Sequence, residues 1–179
     1  MFEETEREFL RKVAVAAAAR AMGLRGAPAK AASPPPALIP FEGIFVTWVK
    51  EGRPRGRSGT LGSASPLFAL IEIHAVDALL HDPRVPPATA KELPRYMPQI
   101  SVLSAFEEIP GAEGLLVGTH GVVAEKGKRF GVVLPQDAEG LGWDGERLVG
   151  QACLRAGLPE ESWRAAGSVR LRRFTAETF

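Results

Sequence analysis

The stretch IFVTWVKEGRPRGRSGTLG, Ile44 to Gly62, decides how the chain is interpreted. Its start, Ile44 to Val49, is rich in β-branched and aromatic residues and predicts a strand. Lys50 to Gly62 contains four glycines, four cationic side chains and two hydroxyls, and predicts a loop. A helix is predicted from Pro66 to about Leu80. The loop between them is either a solvated hairpin tip or a binding site built from backbone groups.

On either side of this stretch, the sequence predicts helices and strands in a mixed order without βαβ repetition. Residues 3–22 predict a helix, and a second helical segment surrounds Cys153. Further strands are predicted in YMPQISVLS, LLVGTHGVVAEKGKRFGVVLP and SVRLRRF, the last as an edge strand because apolar and basic residues alternate. This order predicts an α+β fold with a mixed, mostly antiparallel sheet and flanking helices.

The chain length and one segment of unusual composition indicate how the chain is organised into domains. The 179 residues predict a single domain over 1–179, or one two-lobed domain. Residues 25–43, RGAPAKAASPPPALIPFEG, are rich in proline and alanine and predict a packed irregular connection.

The charge and cysteine content exclude several classes of protein. Twenty-two Lys and Arg against 21 Asp and Glu leave a net charge of +1, so no global field attracts nucleic acid or anionic lipid. No apolar run has the length of a membrane span, and EETERE before VAVAAAARAM argues against a signal peptide. A single cysteine allows neither an internal disulfide nor a cysteine-built zinc site, and suits a reducing cytoplasm. We therefore expect a soluble cytoplasmic protein that does not bind membranes, and the net charge disfavours nucleic-acid binding without excluding a local basic patch.

Three side chains outside the loop are candidates for chemistry. Cys153 lies on the apolar side of its helix and is interpreted as structural. His74 lies on the apolar stripe of the second helix and is interpreted as a satisfied core or half-buried histidine. His120, between Gly118 and Gly121, marks either a binding site beside a bulge or a strand kink with an exposed imidazole. No histidine spacing predicts a metal site.

The loop has the chemistry of an anion site. Arg55 and Arg57 are bidentate donors, and glycine-rich turns can present successive N–H groups to an anion. The spacing matches neither a phosphate-binding P-loop nor a dinucleotide fingerprint. On this chemistry alone, a solvated hairpin loop is favoured.

Several motifs in order extend this interpretation from Phe45 to Phe174. They are FVTWVKEGRPRGRSGT, DPRVPP, ISVLS, GTHGVVAEKGKRFGVVLP, GW and CLRAGL. In content and order they resemble the AMMECR family, also called AmmeMemoRadiSam system protein A. The resemblance implies an α+β fold with a larger and a smaller subdomain, and partnership with a Memo-like protein and a radical S-adenosylmethionine (radical SAM) protein.

The resemblance also implies that an Arg-Gly-Cys-Ile-Gly signature lines a cleft. Here Arg55, Gly56 and Gly59 match the signature, while Arg57 and Ser58 stand in place of its cysteine and isoleucine. A thiolate nucleophile or ligand is therefore impossible at this position. The residues predicted to line the cleft are Arg55, Gly56, Arg57, Ser58, Gly59, Thr60 and His120.

Three functions follow as hypotheses. The first is a binding or accessory module that acts with the partner proteins, with no cofactor implied. The second is an enzyme for a small anionic substrate, in which Ser58 and His120 form a nucleophile–base pair. The third, nucleic-acid binding, is disfavoured by the net charge and by the few interleaved aromatic residues.

Overall fold

The computed structural model describes residues 1–24, 41–165 and 167–179. Within these ranges lie three α-helices, which are α1 (Glu4–Ala21), α2 (Leu67–Leu80) and α3 (Gly145–Arg155). The strands are β1 (Gly43–Lys50), β2 (Arg53–Leu61), β3 (Tyr96–Leu103), β4 (Glu107–Ile109), β5 (Gly121–Lys126), β6 (Arg129–Val133), β7 (Arg170–Phe174) and β8 (Ala176–Thr178). Short 3-10 helices span Leu93–Arg95, Pro135–Ala138 and Glu160–Arg164. The irregular connection predicted over residues 25–43 lies almost entirely outside the described residues.

The strands form two four-stranded sheets, and the predicted α+β class is confirmed. The strand orders are β2-β1-β3-β8 and β4-β7-β5-β6, with antiparallel pairing in both sheets. The predicted helices over 3–22 and 66–80 and the strand over 44–49 each agree with the structure to within one residue at either end.

The prediction that SVRLRRF forms an edge strand was wrong. Strand β7 lies between β4 and β5. Its arginines can occupy an inner strand because acidic side chains on the neighbouring strands pair with them. The ion pairs are Arg170–Glu108, Arg172–Glu125 and Arg173–Glu107.

The predicted loop between Lys50 and Gly62 was also wrong, because most of it is the regular strand β2. It pairs with β1 from Arg53 to Leu61, so β1 and β2 form one hairpin. Only Glu51 and Gly52 lie between the strands, with φ of 54° and 75°. Positive φ at both positions is typical of the tight turns that follow the twist of antiparallel strands.

The first of two compact units comprises residues 1–102 and 177–179. Its core joins α1 and α2 to one face of the first sheet. Ile44, Val46 and Trp48 alternate along β1 toward this core and are fully buried. The Trp48 indole Nε1 donates a 2.8 Å hydrogen bond to the Ala75 carbonyl in α2. This contact anchors the hairpin to the helix.

The second unit, residues 103–176, contains the second sheet and α3. Its core includes Val122, Val133, Leu148 and Cys153, all with no exposed surface. Gly131 lets β6 approach α3, because a Cβ there would lie 2.2 Å from the Ala152 carbonyl oxygen. The grouping of both units into one domain stays a prediction.

The Cys153 thiol is buried, as the sequence predicted, and burial raises its pKa. A protonated, inaccessible thiol is a poor nucleophile. Cys153→Ala is expected to lower the free energy of unfolding by about 1 kcal/mol through lost packing. Native protein is also expected to react with a maleimide far more slowly than free cysteine does. Equal rates would contradict the structural role.

Candidate functional site

The signature-like residues begin at a β-bulge in the hairpin. Trp48 pairs with Gly56 and Val49 pairs with Pro54, so Arg55 is an extra residue on β2. The Arg55 side chain donates a 3.0 Å hydrogen bond to the Pro86 carbonyl, in the segment that follows α2. A bulge redirects side chains and is common beside functional sites.

Arg57 and Ser58 project from opposite faces of β2. Arg57 lies opposite Thr47, and its Nε donates to the Thr47 hydroxyl at 2.9 Å. Ser58 lies opposite the buried Val46, and its Oγ is 2.9 Å from Nδ1 of His74 in α2. Successive side chains of a strand point to opposite faces, so the Arg57 and Ser58 side chains lie on different sides of β2. That both line one cleft stays a prediction.

The outer edge of β2 is closed by the Asp-Pro-Arg segment that begins at Asp82. At Arg57 the backbone N–H donates to Asp82 Oδ2 at 2.8 Å, and the carbonyl accepts from the Arg84 guanidinium at 3.0 Å. Strand β2 is terminal in its sheet, so these two groups have no neighbouring strand to pair with. Side-chain partners replace that strand and protect the edge.

Asp82 is the most strongly perturbed charge at this site. Its side chain is only 2% exposed and also accepts hydrogen bonds from the backbone N–H of Arg84 and from its guanidinium. The Arg84 guanidinium, helped by the Arg57 and Arg84 N–H groups, lowers the pKa of Asp82 to about 2 although burial opposes the shift. The carboxylate is therefore ionised throughout the neutral range.

The two signature glycines are required by close packing within the protein. A Cβ on Gly56 would lie 2.0 Å from the Ala78 carbonyl oxygen in α2. A Cβ on Gly59 would lie 2.3 Å from both the Ile44 carbonyl oxygen and the Phe45 ring. Protein atoms therefore account for the absence of side chains at both positions. Thr60, next along β2, makes one long hydrogen bond, 3.5 Å from its hydroxyl to the Leu61 carbonyl.

The histidines occupy different environments. His74 is half-buried, and burial lowers its pKa although Asp77 opposes the shift. His120 belongs to the second unit, where its Nδ1 accepts a 3.0 Å hydrogen bond from the Leu116 N–H. A shared cleft for His120 and β2 stays a prediction.

Sequence reasoning did not assign four residues to this site: Thr47, His74, Asp82 and Arg84. The DPRVPP motif was a signal for Asp82, but its contact is set by tertiary structure. Within the described ranges, no three His, Cys, Asp or Glu side chains are grouped so as to hold a metal ion. Over the same ranges, no helix has the length and apolarity to span a membrane.

The fold and site define a class of α+β proteins with two antiparallel sheets, in which an Asp-Pro-Arg segment closes a bulged edge strand. The AMMECR1 family model matches residues 11–179, and the chain belongs to this family. A Thermococcus gammatolerans protein is 36% identical over 155 residues, which covers 81% of this chain and 75% of that protein. Protein TK0174 of Thermococcus kodakarensis is 36% identical over 160 residues, with 81% and 78% covered.

A solved structure has the same fold. The crystal structure of uncharacterized protein PH0010 from Pyrococcus horikoshii superposes with a TM-score of 0.88 at 29% sequence identity. The match covers 99% of this chain and 92% of that one. The two-sheet architecture is therefore shared along nearly the whole chain.

Proposed function

We propose that this protein is a binding module that recognises an anionic group through the cationic edge of the β1–β2 hairpin. The observation that carries the proposal is the Arg84 side chain, which is held by the buried Asp82 yet is 64% exposed. Its guanidinium also bonds the Arg57 carbonyl, which places it at the edge of β2. Arg53, exposed on the same strand, adds a further cation.

The side chains of Arg84 and Arg57 are held in place before any ligand arrives. Asp82 holds Arg84 through three side-chain and backbone contacts, and Thr47 holds the Nε of Arg57. A fixed guanidinium loses less conformational freedom on binding than a mobile one does. The fork of donors suits carboxylate and phosphate groups. Asp82 offsets part of the positive charge of Arg84, and the exposed Arg53 adds to the attraction for an anion.

The partners of this module are a Memo-like protein and a radical SAM protein. Membership in the AMMECR1 family supports this part of the proposal. An acidic side chain or terminal carboxylate of a partner is the group that the edge would bind. No cofactor is part of the proposal.

Anion binding is tested by thermal unfolding in phosphate, sulfate or small carboxylates, with chloride at matched ionic strength as reference. An anion at about five times its Kd stabilises the folded state by about 1 kcal/mol. For a protein of this size the midpoint then rises by about 2–4 °C. The Arg57→Ala and Arg84→Ala variants should each respond less than wild type. Lys128→Ala, which removes an exposed cation in the second unit, should respond as wild type does. Identical responses of wild type and all three variants would refute the anion site.

Partner binding is tested separately with purified Memo-like and radical SAM proteins from the same genome. Affinity should fall as salt rises, and it should fall more for Arg57→Ala than for Lys128→Ala. Full-affinity binding by Arg57→Ala would place the partner surface elsewhere.

The second candidate is an enzyme that acts on a small anionic substrate without a thiol. The contact between Ser58 and His74 favours it, since a hydroxyl beside a neutral imidazole is the start of a nucleophile–base pair. In this second candidate function, His74 is the base for Ser58, the role that was predicted for His120 from the sequence.

A further inference from the structure

The pairing of Ser58 with His74 goes beyond a binding role for the hairpin. Ser58 Oγ and His74 Nδ1 are 2.9 Å apart, within the range for proton transfer from a nucleophile to its base. Ser58 replaces the isoleucine of the resembled signature, so an apolar position has become a hydroxyl with a base beside it.

Both members of the pair are held on regular structure and remain partly accessible. Ser58 lies within the paired region of β2, and His74 lies mid-helix in α2. Each residue is intermediate in exposure. Contacts between β2 and α2, including the close approach at Gly56, fix the distance between the two elements. A catalytic pair works best on rigid elements that a small reagent can still reach.

The charges around His74 favour its neutral form. Burial lowers the pKa of the imidazole, and Asp77, one turn further along α2, is the charged group that opposes this shift. At neutral pH the imidazole is therefore available as a proton acceptor. In the tautomer with its proton on Nε2, Nδ1 accepts the hydroxyl proton of Ser58.

We propose that Ser58 is a nucleophile activated by His74 and that it accepts acyl groups from small carboxylic esters. The Ser58 oxygen forms a bond to the ester carbonyl carbon while its proton passes to His74 Nδ1. The tetrahedral intermediate then expels the alkoxide, which takes that proton and leaves as the alcohol. Water attacks the acyl-serine in the same way, releases the carboxylic acid and restores the hydroxyl.

Thr60 is the residue suited to stabilise the oxyanion. It lies two positions after Ser58 on β2, so the two residues share a face of the strand. Its hydroxyl makes only the 3.5 Å contact to Leu61, which is weak enough to be exchanged for a bond to substrate. In this proposal the Thr60 hydroxyl donates to the developing oxyanion.

The experiment uses the full chain and a fluorophosphonate probe, which loses fluoride as its phosphorus bonds to an activated serine oxygen. Tryptic cleavage after Arg57 and Arg84 releases one peptide that contains Ser58, Ser63 and Ser65. The two exposed serines are therefore internal controls in the same fragment. Fragmentation by mass spectrometry should place the label on Ser58, at a rate at least about tenfold above that at Ser63 or Ser65. Equal labelling of the three serines would overturn the proposal.

Three variants separate a chemical role from a structural one. His74→Asn keeps a hydrogen-bond acceptor near the Nδ1 position but cannot take up the proton, so Ser58 labelling should fall by about tenfold or more. Thr60→Val should slow hydrolysis of an activated ester such as p-nitrophenyl acetate while Ser58 is still labelled. Ser58→Ala should abolish both signals. Thermal midpoints identify any variant that fails to fold. Undiminished labelling in folded His74→Asn would refute activation by His74.

This result is distinguishable from the proposed binding function. Arg57→Ala tests anion binding at the cationic edge of the hairpin, whereas Ser58→Ala tests acyl transfer at the pair formed with His74 of α2. Loss of one response with retention of the other would assign the two activities to separate sites.

Discussion

Replacing Asp82 by alanine is expected to lower the free energy of unfolding by about 3 kcal/mol. The change removes an almost fully buried carboxylate and leaves the Arg57 N–H, at the edge of β2, without its acceptor. An unsatisfied backbone donor of this kind costs about 1–3 kcal/mol. Arg84, being 64% exposed, can be hydrated again, which keeps the loss at the lower end of the range for a broken buried ion pair. Urea unfolding followed by circular dichroism measures the change.

Arg57→Ala is the matched control because it retains the backbone N–H that Asp82 accepts from. We expect it to cost about 1 kcal/mol, through the lost bond to Thr47. A loss for Asp82→Ala no larger than that for Arg57→Ala would contradict the edge-closing role of the carboxylate.

The same carboxylate gives a defined dependence of stability on pH. Its pKa falls from an ordinary 3.8 to about 2 in the folded protein, so the unfolded state binds more protons between these values. The contribution, about 2 kcal/mol, is fully present above about pH 5 and is lost as pH falls toward 2. Asp82→Asn should flatten this part of the stability profile. An unchanged profile in the variant would show that other carboxylates control acid unfolding.

Gly56→Ala is expected to destabilise the protein by about 3 kcal/mol or more. The added Cβ would lie 2.0 Å from the Ala78 carbonyl oxygen, a backbone atom that cannot move without shifting α2. The hairpin must then separate from the helix, which weakens the packing of Trp48 and its bond to Ala75. Thermal and urea unfolding would both report the loss.

Gly52→Ala separates this steric effect from backbone strain in the same hairpin. Gly52 has open space around it and a φ of 75°, so alanine there costs only the strain, about 1 kcal/mol. The Gly56 variant should therefore be the less stable of the two by a clear margin. The reverse order would mean that β2 and α2 are not closely packed at Gly56.

Much of the architecture was determined by local sequence pattern. The β-branched and aromatic residues of β1 and the apolar stripes of α1 and α2 are local signals of secondary structure. They predicted those helices and that strand to within one residue and, with the mixed order of elements, the α+β class. The apolar position of Cys153 likewise predicted its burial. These properties depend on contacts that each element repeats along its length.

Tertiary structure determined that most of Lys50–Gly62 is a strand rather than a loop, and which residues cover the outer edge of β2. Glycines and arginines favour a loop in isolation, yet here the glycines allow β2 to approach Ala78 and Phe45, so the segment pairs as a strand. SVRLRRF was misassigned to an edge because its acidic partners lie far away in sequence.

The contacts between residues at the site also depend on the tertiary structure. Ser58 meets His74, and the Arg57 backbone meets Asp82, only because α2 folds back across the hairpin. The local sequence contains each of these residues but not the distances between them. Those distances arise when distant parts of the chain bury a common core. The order of motifs along the sequence was therefore enough to indicate the family, whereas the contacts within the site depended on the fold.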